Sequence, residues 1–280
     1  MRLVVDGLRM AYAGTVVVEG VDLTAAPGEV VAIVGPNGCG KSTLLRGIAR
    51  LHRPVDGQVL VGAQDIWQIR ARAAAKQIAL LPQTVVAPEA ITVAGLVRYG
   101  RHPHQGLFRQ WSPEDETVAA EAMRVTGVTD LAHRRLDQLS GGQRQRSWLA
   151  MVLAQQTPLL LLDEPTSALD LGHQVEVLRL LRKLASNGQT IVMVLHDLAS
   201  AARYADKLIA MRDGRVVASG PPRGVVTSEL VRSLYDIESD VLAAPGDGAP
   251  VVVPRDSNRS GSSASSSTEY SGSSVSGSSR

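Results

Sequence analysis

The sequence predicts an α/β fold with an antiparallel β region at its N-terminal end and a helical subdomain inserted into the core. Three observations predict it. Short apolar runs alternate with stretches of helical period along most of the 280 residues, as when strands and helices take turns. Two runs, Val30-Val31-Ala32-Ile33-Val34 and Leu159-Leu160-Leu161-Leu162, are apolar at every position, the pattern of strands covered on both faces. Between Gln83 and about Ala154 the strand signal disappears and helical stretches replace it.

In chain order, the first strands are expected at Leu3–Asp6, Val16–Val18, Glu29–Val34, Gln58–Val61 and Ile78–Leu81. In the helical stretch Pro103, Gly106 and Pro113 mark loops. Ser140 and Gln143, three residues apart, form a capping box that opens a helix over Arg144–Gln155. Strands resume at Leu159–Leu162, Thr190–Leu195, Lys207–Met211 and Arg215–Ala218. Residues 1–83 and 155–243 are therefore assigned to the α/β core and 84–154 to the inserted helical subdomain. From about Ala244 the composition collapses to Ser, Gly and Pro. Residues 244–280 have too little apolar surface to offset the entropy of ordering them, and no structure is expected there. There are no internal repeats.

Composition excludes several classes. Lys plus Arg number 29 against 27 for Asp plus Glu, a net charge of +2. Nucleic-acid binders show a basic face or stripe, and no such excess is present. Cys39 is the single cysteine, so an internal disulfide framework is excluded and a reducing compartment fits. No run approaches the roughly 18–20 apolar residues that span a bilayer. The first residues, MRLVVDGLRMAY, lack the apolar core of a secretory signal. The chain is expected to be soluble, with any membrane role exercised through a partner.

The run Gly35-Pro36-Asn37-Gly38-Cys39-Gly40-Lys41-Ser42-Thr43 has the pattern G-x-x-x-x-G-K-[ST] between an apolar strand and a helical stretch, the context a phosphate-binding P-loop requires. Glycines let the backbone N–H groups wrap round phosphates, and the following helix adds the positive end of its dipole. Lys41 is expected on the outer phosphates of ATP or GTP, and the Ser42 hydroxyl on Mg²⁺. The fold class sharpens to a P-loop NTPase core.

Leu159–Leu162 runs into Asp163-Glu164-Pro165. Taken alone, an acidic pair after a strand is more often a solvated loop. With a nucleotide loop upstream, Asp163 is the expected Mg²⁺ carboxylate and Glu164 the base that orients and deprotonates the attacking water.

In Leu139-Ser140-Gly141-Gly142-Gln143-Arg144-Gln145-Arg146, two glycines open a helix, although each costs about 1 kcal/mol relative to Ala inside one. A helix start with bare N–H groups and a serine hydroxyl suits an anion. This string resembles the signature motif of ATP-binding-cassette ATPases, and the P-loop and Leu159–Pro165 segments stand in that family's order. The resemblance covers about residues 1–240. It implies a head-to-tail dimer in which Ser140, Gly141, Gly142 and Gln143 of one copy touch the γ-phosphate of ATP held by the other. It also implies roles for single residues: Tyr12 stacks on adenine, and Gln83 senses Mg²⁺ and the membrane partner. Asp170, in Ser167-Ala168-Leu169-Asp170, meets the opposite subunit, and His196 contacts the γ-phosphate.

A single cassette without a membrane segment is expected to work with separate integral-membrane permeases at the cytoplasmic face of the membrane, and through them with a substrate-binding protein. Tyr99-Gly100-Arg101-His102-Pro103-His104, Leu169-Asp170-Leu171-Gly172-His173-Gln174 and Met193-Val194-Leu195-His196-Asp197-Leu198 resemble the ATPases of iron–siderophore importers. Those of haem and cobalamin importers are closely similar. A soluble cassette acting on DNA or ribosomes is disfavoured because no second cassette, coiled coil or zinc finger is visible. His102 and His104 are not read as metal ligands, since no further Cys or His lies at a ligand-like spacing.

Overall fold

The computed structural model describes residues 1–84, 89–106 and 111–255. β1 (Leu3–Tyr12) and β2 (Thr15–Ala25) form a hairpin, and β3 (Val30–Val34) leads through a loop into α1 (Lys41–Ile48). β4 (Asp56–Val61), β5 (Gln64–Asp65), α2 (Ala71–Ala75) and β6 (Ile78–Leu81) follow. The chain is then helical in α3 (Val93–Tyr99), α4 (Pro113–Val125) and α5 (Gly141–Ala154). β7 (Leu159–Asp163), α6 (Leu171–Ser186), β8 (Thr190–Val194), α7 (Leu198–Tyr204), β9 (Lys207–Arg212) and β10 (Arg215–Gly220) return to alternation. The described part closes with α8 (Pro222–Val225), α9 (Ser228–Tyr235), β11 (Ser239–Ala243) and β12 (Pro250–Pro254).

Two sheets build the core. β2-β1-β4-β5 is antiparallel, and the central sheet runs β10-β9-β3-β8-β7-β6. Its first five strands from β6 to β9 pair in parallel, with β10 antiparallel at the edge. The all-apolar runs follow from this position. Val30, Ala32 and Val34 pack on one side with α5, α6 and α7, whereas Val31 and Ile33 pack on the other with α1 and the antiparallel sheet. Alternate residues of a strand face opposite ways, so a strand between two cores has no polar face. Each such Val, Leu or Ile contributes about 1.5–3 kcal/mol by leaving water.

The strand order decides where chemistry can occur. β3, β8 and β7 are neighbours, with Ile33 beside Val194 and Val194 beside Asp163. The loops leaving these three strands therefore open at one edge of the sheet, the usual ligand position in open α/β folds.

The helices α3, α4 and α5 share a separate core that includes Val93, Leu96, Met123, Leu136 and Ala150. Gly100 lets α3 meet α5, because a Cβ there would lie 2.2 Å from the Met151 carbonyl oxygen. Arg101 is then buried, pairing with Asp115 at 2.9 Å and donating to the Ala154 carbonyl and the Gln156 side chain. Replacing Gly100 with Ala forces backbone apart and is expected to cost about 1–3 kcal/mol. Thermal unfolding should show this as a Tm lower by about 2–12 °C.

The α/β class agrees with the sequence expectation, but several elements differ. β1 has ten residues rather than four, continuing past an irregularity between Val5 and Leu8 where Gly7 has positive φ. α5 begins at Gly141, three residues before the expected start, because the capping box places the first helical residue directly after Ser140. The tail expected from residue 244 onward is structured through residue 255. β12 pairs with β11 in full register, and Val241 and Val252 pack on the main core. Three valines within Pro250–Pro254 supply the apolar side that the surrounding glycines and serines conceal in composition. Residues 256–280 lie outside the described residues.

Candidate active site

At the top of β3 the chain turns through Gly35–Gly40 and enters α1 at Lys41. Gly35 and Gly40 have φ of 147° and 100°, a region that favours glycine. A Cβ on Gly35 would lie 2.0 Å from the Met211 carbonyl oxygen, and one on Gly40 2.8 Å from that of Val17. The glycines thus seat the loop on β9 and β2 as well as bending it. The Lys41 ammonium is buried under the arch and donates to the carbonyls of Gly35 at 2.9 Å and Pro36 at 2.8 Å. Cys39 is also buried, and burial pushes its thiol up from the ordinary value while Lys41 opposes that shift. A thiol so held is protonated and packs as a small apolar group.

Two carboxylates arrive from β7. Asp163 ends the strand, 2 % exposed, and accepts a 3.1 Å hydrogen bond from the Ser42 hydroxyl. Burial pushes its carboxyl above the ordinary aspartate range; the Ser42 bond opposes this and the nearby Glu164 charge adds to it. Glu164 leaves the strand with φ of 55°, a left-handed conformation that costs about 1–2 kcal/mol in a residue with a Cβ. Its amide donates to the Val194 carbonyl at 3.2 Å, and its own carbonyl accepts from Gln145 of α5 at 3.2 Å. These bonds hold the strained residue, and its side chain meets His196 Nε2 at 2.5 Å. His196 follows β8 and has a 46 % exposed side chain.

Lys41, Ser42, Thr43, Asn37, Gly38, Gly40, Gln83, Glu164 and His196 all line one cleft of about 280 Å³. Val17 of β2 completes the wall and is a residue the sequence does not single out. A larger groove of about 710 Å³ opens at the opposite edge of the sheet, between α4 and the α6–β8 turn. Glu121 is its single ionisable lining group, so it lacks the convergent chemistry of the smaller cleft.

Other candidate residues stand apart from the cleft walls. Ser140 caps α5 in a reciprocal box, its hydroxyl accepting from the Gln143 amide at 3.2 Å and its amide donating to Gln143 Oε1 at 3.1 Å. Ser140 and Gly141 are exposed. Gly142 permits close approach within this chain, since a Cβ there would lie 3.2 Å from Leu169 Cδ2. Asp170 caps α6, accepting from the His173 amide at 2.9 Å and lying 2.8 Å from its Nδ1. Those backbone and side-chain bonds from His173 hold the Asp170 carboxyl below its usual range. Tyr12 is 38 % exposed at the hairpin end and stacks on His52. His104 Nε2 meets the Gln155 carbonyl at 2.8 Å, tying down the His102–His104 turn.

The donor set around Ser42 and Asp163 fits a hard cation. It offers a hydroxyl and a buried carboxylate 3.1 Å apart, both oxygen ligands of the kind Mg²⁺ takes. Among the described residues no group of three or more His, Cys, Asp or Glu side chains forms a metal site unaided. A cation at Ser42 and Asp163 would therefore complete its shell from phosphate oxygens and water.

Residues 18–167, more than half of the chain, match the sequence model of the family described as ABC transporter. The chain belongs to that family. It is an ATP-binding cassette and an ATPase. It is 46 % identical over 254 residues to the ferric enterobactin transport ATP-binding protein FepC of Escherichia coli (strain K12), covering 90 % of this chain and 94 % of that one. It is 47 % identical over 248 residues to the hemin import ATP-binding protein HmuV of Streptomyces coelicolor, covering 89 % and 88 %. Its fold is similar to that of an inward-facing metal-chelate type ABC transporter, with a TM-score of 0.78 at 32 % identity, covering 91 % of this cassette and 98 % of that chain. Among the described residues of the cassette no helix is long and apolar enough to cross a membrane.

Proposed function

We propose that this cassette is the ATP-hydrolysing subunit of an importer of iron–siderophore complexes, acting as a pair of copies docked on separate membrane permeases. The observation that carries the mechanism is a division of residues. Lys41, Ser42, Gln83, Glu164 and His196 line one cleft, whereas Ser140–Gln143 at the start of α5 is absent from its walls, with Ser140 and Gly141 exposed. A second copy, placed head to tail, would lay its Ser140–Gln143 over that cleft and enclose the γ-phosphate.

In and around the cleft each residue has one task. Lys41 and the backbone N–H groups of the P-loop bind the phosphates, and Tyr12 offers a ring to adenine. Ser42 and Asp163 would hold Mg²⁺, which would supply neutralisation of phosphate charge. Gln83 lies where β6 gives way to the helical segment, so it can report the state of the site to α3–α5 and the permease. Glu164 is engaged by His196 at 2.5 Å. When His196 turns to a γ-phosphate, the Glu164 carboxylate becomes free to take the proton of the attacking water. Hydrolysis then separates the copies, because ADP and phosphate no longer bridge them.

The cargo reading rests on the ferric enterobactin transport relative and the metal-chelate type neighbour. Haem is the second reading, favoured by the 47 % identity to a hemin import protein. A deletion strain complemented with the wild-type gene discriminates between them when uptake of ⁵⁵Fe-siderophore and of haem is measured. Loss and recovery of siderophore uptake is the expected result. If haem uptake alone follows the gene, the second reading replaces the first, and if neither does, both fail.

A further inference from the structure

The Tyr12 ring does not stand alone at the end of β1. His52, in the link between α1 and β4, lies nearly parallel to it, with ring centroids 4.2 Å apart and planes inclined by 22°. The imidazole is itself fixed, because His52 Nε2 lies 2.8 Å from the Ala11 carbonyl oxygen. A carbonyl only accepts, so Nε2 carries the proton and donates, which sets both the tautomer and the ring plane. The backbone that receives this bond belongs to the residue directly before Tyr12. His52 therefore grips the strand and one face of the aromatic side chain together.

We propose that His52 is a positioning residue for the nucleobase. It backs one face of Tyr12 so that the other face is presented, already oriented, as a stacking platform. The inference rests on the reading of Tyr12 as the adenine platform and deepens it. An exposed tyrosine at a hairpin end rotates about two side-chain bonds, and freezing that motion opposes ligand binding. A second ring packed against it pays the ordering in advance and leaves the base a rigid surface. Base, Tyr12 and His52 then form three stacked layers. Aromatic rings attract when stacked with an offset, commonly at centroid separations of about 4.5–7 Å, and the 4.2 Å here is a closer contact than that range. The stack acts through a π-face and not through hydrogen bonds to the base, so its effect falls on nucleotide affinity and not on the phosphate chemistry at Lys41 and Glu164.

The test uses the full chain and a fluorescent ATP analogue to measure Kd, with steady-state hydrolysis of ATP alongside. His52→Gln keeps a donor for the Ala11 carbonyl and removes the ring, whereas His52→Phe keeps a ring and removes the donor. His52→Gln is expected to weaken nucleotide binding by about three- to tenfold, the size of one aromatic pair. The loss should appear in KM with kcat within twofold, and His52→Phe should recover most of it. Tyr12→Ala is measured beside them and is expected to weaken binding at least as much. If Tyr12→Ala weakens binding and His52→Gln does not, the positioning role is wrong while the platform stands. Tighter binding by His52→Gln would mean that His52 blocks the base, which also overturns the proposal. If Tyr12→Ala leaves affinity unchanged, the platform reading fails and the proposal falls with it. Thermal unfolding of each variant reports whether it is folded, and a folded His52→Phe keeps the ring-specific prediction decidable should His52→Gln unfold.

Discussion

Replacing Glu164 with Gln is expected to lower the rate of ATP hydrolysis by about 10²–10⁴, the contribution of a positioned base, while ATP binding is retained. The substitution keeps the shape of the side chain and its position at the strained φ of 55° after β7. It removes the oxygen able to take a proton. Lys41, Ser42 and the P-loop backbone are untouched, so equilibrium binding of ATP should remain within a few-fold of wild type. The two-copy reading adds a consequence: the variant should accumulate as an ATP-bound dimer, seen as a doubled mass in size-exclusion chromatography with light scattering. Wild-type turnover in this variant would remove Glu164 from the role of base. Slow turnover without a dimer would leave the base in place and sink the head-to-tail arrangement.

The largest stability effect is expected at Arg101. Its guanidinium and the Asp115 carboxylate are 3 % and 1 % exposed and 2.9 Å apart. Removing one partner of a buried ion pair leaves the other charge without compensation, at a cost of about 3–5 kcal/mol. Arg101→Met should therefore lower Tm by about 6–20 °C, measured by circular dichroism near neutral pH. The effect also has a pH signature. Burial works to raise the Asp115 carboxyl, but hydrogen bonds from Arg101 and Ser112 outweigh it and hold the group below its ordinary value. A depressed folded value means that the stabilisation is complete above the unfolded-state value of about 3.9. It disappears as pH falls through the lower folded value. The gap between wild type and Arg101→Met should thus shrink on acidification below about pH 4. A gap that stays constant or widens would show that the lost stability comes from packing and not from the charge pair.

Much of this was legible in the sequence where one physical demand dominates a short segment. Ile78–Leu81 begins and ends in the structure where its apolar run does, because a strand between two cores admits no polar neighbour. The P-loop is readable because loop glycines, lysine and hydroxyl are consecutive. Residues whose importance depends on distant contacts are not readable in this way. Val17 joins the cleft only because β2 passes beside Gly40, and nothing in its own segment distinguishes it. His52 meets Tyr12 through tertiary packing. Arg101 belongs to a string read by resemblance as a mark of iron–siderophore importers, and its physical work proves to be internal support for α3, α4 and α5. β12 escapes notice because three valines are diluted by the glycines and serines on either side.

The attachment of the helical segment has a mechanical consequence. The chain leaves the sheet at the nucleotide edge after β6, near Gln83, and returns at the opposite edge, where Gln155 bonds the carbonyls of Ala75 and Ile78 before β7 begins. The 14 residues of α5 therefore form a strut about 21 Å long between the two edges. One end is fixed by the polar knot of Arg101, Gln155 and Gln156, and the Ser140 end rests on the loop after β7, where Gly142 faces Leu169 and Gln145 bonds the Glu164 carbonyl. Because Gln145 ties α5 to Glu164, a displacement of the backbone at Glu164 would bear directly on the helix.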